Sequence, residues 1–439
     1  MRTRFGLWLA LLGGACSGET APSREAPPSS TSPSPEVPSP ALPVASPAEP
    51  RGCPEGKRCV ALAASEPESR IAEAFATATP GTVLLLGEGT FAFTNTLALE
   101  GDDVVVRGAG RDATVLDFRG QRTGSEGLLA EGADRLVLES FSVVDARGDG
   151  IKALGATDVV FRDLAVHWRG ADPGEHGAYG IYPVRSKRVV VEDCFVTGAS
   201  DAGIYIGQSE GTVLRRNRTT GNVAGIEVEN SFDVDAYGNE TIGNAQGLLV
   251  VDLPWVPITG GRTVRVHDND IAENGAENFS PRGSFVGALP RGIGLLVLAT
   301  DDVEAFGNRI HDNPTVNAAV ASFLLTNDDP DNDGYDPYPA RVSLHDNVFG
   351  AGGDAPDETR PLGALLADGM SAYPGGVVPS IVYDGRSPGV ARVARGENPQ
   401  WICLRANGAA TFVNLAREDF DVGPHDCTLP PVLPEGLPQ

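Results

Sequence analysis

The sequence has few basic residues: 34 Lys and Arg stand against 59 Asp and Glu in 439 residues, a formal net charge of -25. Such a balance offers no basic footprint to a phosphate backbone and excludes nucleic acid as a partner. Long apolar runs are also lacking. The longest, Phe5 to Ala15, is too short to span a bilayer as a helix, and nothing after it approaches the ~20 residues that spanning needs, so the rest is expected to be soluble. No pair of cysteines or histidines has the spacing of a zinc site. Disorder is not the default either, because the chain is 41% hydrophobic and its acidic charge is spread along the length. What is abundant is glycine: 54 residues, about 12% of the chain against a usual ~7%. That excess argues against an ordinary helical enzyme and for a repeat, which can use the whole length as one solenoid.

Arg2 and Arg4 precede the Phe5–Ala15 run, the order of a secretory signal over residues 1–15. Gly13-Gly14-Ala15-Cys16 follows and resembles the lipobox of bacterial lipoproteins, with Leu12 four residues before the cysteine where the pattern prefers three. The resemblance implies lipidation of Cys16 and, with Ser17 next, sorting to an outer membrane; simple secretion or a periplasmic location is the alternative. Residues 16–52 carry ten prolines between Pro22 and Pro50 and almost nothing large, so they form a tether without a core. Cys53 and Cys59 lie at the start of the folded part and Cys403 and Cys427 at its end, and two terminal disulfides are the economical reading in an oxidising compartment. Cys194 is left over in a position that other repeats fill with Asn, and is expected to be an inert buried thiol.

Aligning on glycines reveals a frame: GIYIGQSEGTVLRRN from Gly203, GIEVENSFDVDAYGN from Gly225 and GLLVLATDDVEAFGN from Gly294. Gly203 to Gly225 and Gly225 to Gly247 are both 22 residues. Short β-branched stretches ending in Gly, Asn or Asp are strand signatures, and three strands per unit make one coil of a solenoid. The pattern resembles the right-handed parallel β-helix of the pectate lyase and polygalacturonase kind, an all-β fold of parallel β-helix (PbH1-type) repeats. Ile204, Ile226 and Leu248 then form one inward column, and Ile206, Val228 and Val250 a second. Asn217, Asn239 and Asn269 fall at equivalent turns, where stacked amides can bond between coils. A helical stretch after Ser65-Glu66-Pro67, IAEAFATA, supplies a short N-terminal cap. The β-helix is placed over 53–391 and a C-terminal capping segment over 392–439.

Two residues beyond each repeat glycine lies an outward stripe: Lys152, Tyr182, Tyr205, Glu227 and Leu249. Gly207, Glu229 and Val251 follow two positions on, with Arg185, Gln208, Asn230 and Asp252 beside them. Insertions add Trp168 and His176 before this patch and Trp255 after it. Aromatics beside a polar cleft suit the faces of sugar rings. Glu227, Glu229 and Asp252 as carboxylates, with His176, Tyr182 or Tyr205 as proton donors, suit acid–base work on a polysaccharide: hydrolysis, elimination or epimerisation. Lys152, Trp168, Arg185, Gln208, Asn230 and Trp255 are the candidate substrate-binding side chains, although the negative charge disfavours a uronate. Asp329, Asp331 and Asp333 with Gly334 copy the first half of a calcium loop, but Ala340 stands where its closing glutamate belongs, so the cofactor expectation is none, or Ca²⁺ in a shorter Asp-rich loop.

At HWRGADPGEHGAYGIYPV, ASDAGIYIGQS, NVAGIEVENS, DLP and YDPYP the chain resembles a group of exported bacterial parallel β-helix repeat proteins, often lipoproteins, over roughly residues 60 to 430. The resemblance implies fold and export and supplies no reaction. Two functions stay open: a surface-attached carbohydrate-active protein (lyase, epimerase or hydrolase), and a non-catalytic module binding a glycan or a partner protein.

Overall fold

A computed structural model describes residues 52–170, 172–281, 283–326, 330, 334–388 and 396–438. Cys16, the signal, nearly all of the tether and the Asp329, Asp331 and Asp333 loop lie outside these residues.

Each unit of about 22 residues places one short strand in each of three sheets, which hold 12, 11 and 10 strands. Coils stack in parallel register, so Ile204 pairs with Ile226, Ile226 with Leu248 and Leu248 with Leu295. The inward columns Ile204, Ile226, Leu248 and Ile206, Val228, Val250 are at most 1% exposed. Helix α1 (Glu68–Ala76) turns Ile71, Ala74 and Phe75 inward, and Glu68 accepts the backbone N–H groups of Thr94 and Asn95, pinning the helix to an early coil. A strand, Arg58–Leu62, precedes this helix and pairs with Thr82–Leu86, so a strand of the stack comes before the cap. At the other end Ile402–Arg405 and Phe412–Asn414 still pair with earlier coils, which carries the stack past residue 391. Cys53 is bonded to Cys59, and Cys403 to Cys427. No described helix is long and apolar enough to cross a membrane.

The repeat glycines answer a steric demand. A Cβ on Gly225 would lie 2.7 Å from Thr219 Oγ1 and 2.8 Å from the carbonyl oxygen of Gly247 in the next coil. On Gly203 it would lie 2.9 Å from both Asn222 Nδ2 and the Gly225 carbonyl oxygen. A methyl group here forces coils apart, and Gly225→Ala is expected to lower unfolding free energy by about 1–3 kcal/mol in urea denaturation.

Asparagines bind the coils at two turns. Asn239 Oδ1 accepts from the backbone N–H and Nδ2 of Asn217, both at 3.0 Å, while its Nδ2 donates to Asn269 Oδ1 at 2.9 Å. The ladder continues through Asn308, Asn347 and Asn407, and a second runs from Asn222 through Asn244 and Asn274 to Asn313. Cys194 caps the first ladder: its N–H donates to Asn217 Oδ1, and burial pushes the thiol up to about 12, which leaves it unreactive at neutral pH.

The first sheet satisfies its own outer face. One register column reads Arg107, Glu139, Arg162, Glu192, Arg215, Tyr237, His267, Phe306, His345. Its charged half alternates in sign, with Arg107–Glu139 at 2.5 Å, Arg162–Glu192 at 2.6 Å and Arg215–Glu192 at 2.7 Å. Its aromatic half stacks at 5.0, 4.7 and 5.3 Å between ring centroids. A face whose groups are spent on one another has little left for a ligand, and the unspent chemistry lies on the 11-stranded sheet.

Candidate active site

The outward stripe of the 11-stranded sheet forms as the glycine count implies. Lys152 pairs in register with Tyr182, Tyr205 with Glu227, and Glu227 with Leu249. The open-face expectation needs correction, however. Beyond Glu227 the stripe turns apolar through Leu249, Leu296 and Ala319, and insertions bury it under an outer layer that includes helix α2 (Phe285–Ala288) and helix α3 (Pro361–Gly369). Tyr205 is 4% exposed and Glu227 1%, whereas Tyr182 and Lys152 are half-buried at the open edge.

Three tyrosines pack together where the layer ends. Tyr179 lies 4.5 Å from both Tyr182 and Tyr205, and the latter two are 5.0 Å apart between centroids. A Cβ on Gly207 would lie 2.2 Å from Tyr205 Cε1, so this glycine makes room for the ring to fold along the strand. There the Tyr205 hydroxyl faces Glu229 and opposes its protonation. Glu227, two residues earlier on the same strand, keeps a buried Oε2 without a hydrogen-bond partner. Lys152 Nζ sits 3.3 Å from Asp149, 3.6 Å from Glu126 and 4.7 Å from the centre of the Tyr182 ring, so this cation is already paired.

The carboxyl groups hold protons unusually well. Burial, reinforced by Glu229 and Asp149, pushes Asp201 up to about 7. Burial also pushes Glu229 up to about 7, with Asp252 adding and the Tyr205 hydroxyl opposing. Glu227 is raised well above the carboxylate range, by burial first and then by Asp201 and Glu229. Asp252 rises to about 6 through burial, opposed by the N–H groups of Gly261 and Gly260. Burial lifts Tyr182 to about 12 and raises Tyr179 and Tyr205 further, so the phenols stay protonated and act as donors.

Carboxyls whose folded-state values exceed their unfolded ones bind more protons in the folded state. Their contribution to stability is full below the unfolded carboxylate range, ~4, and is lost as pH rises through about 7. Thermal denaturation from pH 5 to 8 is expected to show Tm falling more steeply in the wild type than in Asp201→Asn.

Among the other sequence candidates, His176, Trp168 and Asn230 are committed to structure, while Arg185 and Trp255 stay exposed. Both ring nitrogens of His176 meet carbonyl oxygens, Gly198 at 2.8 Å and Gly170 at 3.1 Å, so this ring pins its insertion and is not a free proton donor. Trp168 is 8% exposed, donates to the Ala146 carbonyl oxygen at 2.6 Å and belongs to the inner core instead of a cleft wall. Arg185, Gln208 and Asn230 form a corner column in left-handed conformation, with φ of 51, 51 and 49°. Asn230 Nδ2 donates to Asp252 at 2.8 Å and to the Leu253 carbonyl oxygen at 2.9 Å, and Asp252 also accepts from the Gly261 N–H at 2.7 Å, so this pair shapes the loop. Trp255 stands 62% exposed at φ 63°, its ring edge-on to Phe323 at 5.7 Å. Among the described residues no group of three His, Cys, Asp or Glu has the arrangement to hold a metal ion.

Glu229 also lines a cavity of about 530 Å³ between the sheet and the outer layer, walled by Leu253, Trp255, Phe285, Leu296, Leu298 and Phe323. The glycine count missed the cavity, and it missed Asp149, Tyr179 and Asp201 as well. These three lie one or two positions before Gly150, Gly180 and Gly203, whereas the count looked two positions after.

The family model for the right handed beta helix region matches residues 103–253. No curated protein matches the sequence. Among solved structures, the mannuronan C-5 epimerase A-module of Azotobacter vinelandii is 17% identical with a TM-score of 0.52, over 77% of this chain and 89% of that chain. The lacto-N-biosidase of Eubacterium ramulus is 12% identical with a TM-score of 0.48, over 68% and 64%. A pectate lyase is 14% identical with a TM-score of 0.40, over 68% and 76%. At such identities the likeness concerns the fold, and with the three parallel sheets it makes this chain a right-handed parallel β-helix protein.

Proposed function

We propose that this chain is an exported, lipid-anchored β-helix protein that binds a glycan at the edge of the outer layer and acts on it by acid–base chemistry. One observation carries the reading. Glu227 and Glu229 project side by side from one strand, ~6.6 Å apart along it, with the Tyr205 hydroxyl on Glu229 and Glu229 opening into the cavity. Glu229 is the group that meets substrate: near neutrality it gives its proton to the leaving glycosidic oxygen as that C–O bond breaks and, once deprotonated, takes one from the water that forms the new bond to the anomeric carbon. Tyr205 orients it. Glu227, enclosed beneath, is itself held protonated by burial and by repulsion from Asp201 and Glu229, and stands beside the donor as an uncharged positioning residue. Tyr182 and Arg185 at the open edge and Trp255 at the far side supply binding surfaces. The excess of buried carboxyls over cations favours an uncharged glycan over a uronate. A protein of like fold is named for a glycan reaction, mannuronan C-5 epimerisation, which supports a glycan as substrate but not the uncharged kind. The leader and Cys16 support placement at the outer membrane or cell surface.

A second reading, a non-catalytic glycan- or protein-binding module, draws on the enclosure of Glu227 at 1% and Tyr205 at 4% exposure. A panel of neutral and acidic polysaccharides, assayed for reducing ends, unsaturated products and binding, separates the two. Turnover in the wild type and its loss in Glu229→Gln supports the enzyme; binding without turnover across the panel supports the module.

A further inference from the structure

The cavity beside Glu229 has walls that a sugar cannot use. Among the described residues, its polar side chains apart from Glu229 are Trp255, with one indole N–H, and Ser284, Thr326 and Arg360. The last three are engaged on the protein: Ser284 Oγ accepts from the Gly287 N–H at 3.0 Å and bonds Ser280 Oγ at 2.7 Å, Thr326 Oγ1 donates to the Phe323 carbonyl oxygen at 2.8 Å, and Arg360 donates through Nε to the Gly287 carbonyl oxygen at 2.8 Å and through Nη1 to the Thr359 carbonyl oxygen at 3.3 Å. A pyranose ring placed there would leave most of its hydroxyls dry and unpaired, whereas an alkyl or aryl group would lose nothing and gain contact with Leu253, Phe285, Leu296, Leu298, Phe323 and Leu325. The volume of about 530 Å³ is in the range of small-molecule sites. The polar end of such a ligand meets Glu229 and, behind it, Asp201 and Glu227, whose mutual repulsion disfavours an anion.

We propose that this cavity holds the apolar part of an uncharged amphiphile, with its polar end at Glu229. The substrate class of the site is then a glycan bearing an alkyl or aryl group, such as an uncharged glycolipid. The assignment of the polar end rests on the acid–base reading above; the apolar cavity does not.

The test is titration calorimetry of the whole protein with glucose, hexyl glucoside, octyl glucoside and octyl sulfate, all below their micelle concentrations. Octyl glucoside is expected to bind about fifteenfold tighter than hexyl glucoside, from about fourfold per methylene. Glucose is expected to give no signal, and octyl sulfate to bind at least tenfold more weakly than octyl glucoside. Phe285→Lys and Leu325→Lys, each half-buried in the wall, are expected to weaken octyl glucoside binding at least tenfold. Equal affinity for the hexyl and octyl homologues overturns the proposal in the wild type alone, whatever the variants do. Unchanged binding in both variants, with a native circular-dichroism spectrum, also overturns it. Equal binding of octyl sulfate removes the preference for an uncharged ligand. Chain-length dependence without turnover on any glycan leaves the cavity standing and removes the acid–base reading; turnover without chain-length dependence does the reverse.

Discussion

Glu229→Gln is expected to lower turnover of the glycan substrate by ~10²–10⁴-fold, the usual contribution of a positioned proton donor, without weakening the fold. The amide keeps the shape of the protonated acid and still offers an oxygen to the Tyr205 hydroxyl that faces it, but has no acidic proton to transfer. Repulsion sets the sign of the stability change. Glu229 raises the proton affinity of both Glu227 and Asp201, so replacing it removes a negative charge that those groups resist as pH rises. Tm of the variant at pH 8 should therefore equal or exceed that of the wild type. A Tm well below wild type would mean that Glu229 serves the fold, and the loss of turnover would no longer report proton transfer. Glu227→Gln provides the contrast. Its Oε2 has no partner to lose and it carries no charge near neutrality, so the expected effect is a smaller drop in turnover with the pH profile kept.

Asn239→Ala should cost the fold about 3–5 kcal/mol, because several buried groups are orphaned at once at about 1–3 kcal/mol each. The Asn217 N–H loses its acceptor, Asn217 Nδ2 keeps only the Val191 carbonyl oxygen, and the Leu214 carbonyl oxygen loses the Nδ2 that reaches it at 3.0 Å. No water reaches a position 1% exposed, so the loss is not made good from solvent. Urea denaturation measures it as a lower midpoint. Asn239→Asp, which keeps the acceptor but not the donors, should fall between the two. Asn217→Ala should cost less, since the rung beyond it is Cys194, which takes one bond from it through its backbone N–H.

Much of this architecture was legible because a solenoid repeats its physics. The glycine spacing placed Ile204, Ile226 and Leu248 in one column and Tyr205 beside Glu227, and the register agrees residue for residue. The asparagine ladder followed from the equal offsets of Asn217, Asn239 and Asn308 from Gly203, Gly225 and Gly294. Features carried by the insertions were not legible, since insertions do not repeat. The outer layer over Leu249 and Leu296 brings together loops far apart in sequence, although one signal was present: Gln246–Val251 and Ile293–Leu298 are apolar on both faces, which an exposed sheet would not tolerate. The roles of His176 and Trp168 escaped for a related reason. Residue type suggested a proton donor and a sugar platform, whereas main-chain oxygens from neighbouring turns, which no motif records, claim both side chains.

The central claim is that this cleft keeps carboxylic acids protonated at neutral pH, and carbon NMR of the whole protein with its glutamate carboxyl carbons isotopically labelled tests it directly. Two signals are predicted to titrate at or above neutrality, one disappearing in Glu227→Gln and the other in Glu229→Gln. If instead every glutamate completes its titration near the ordinary value of ~4.3, the cleft holds no such acids and the account of its chemistry is contradicted.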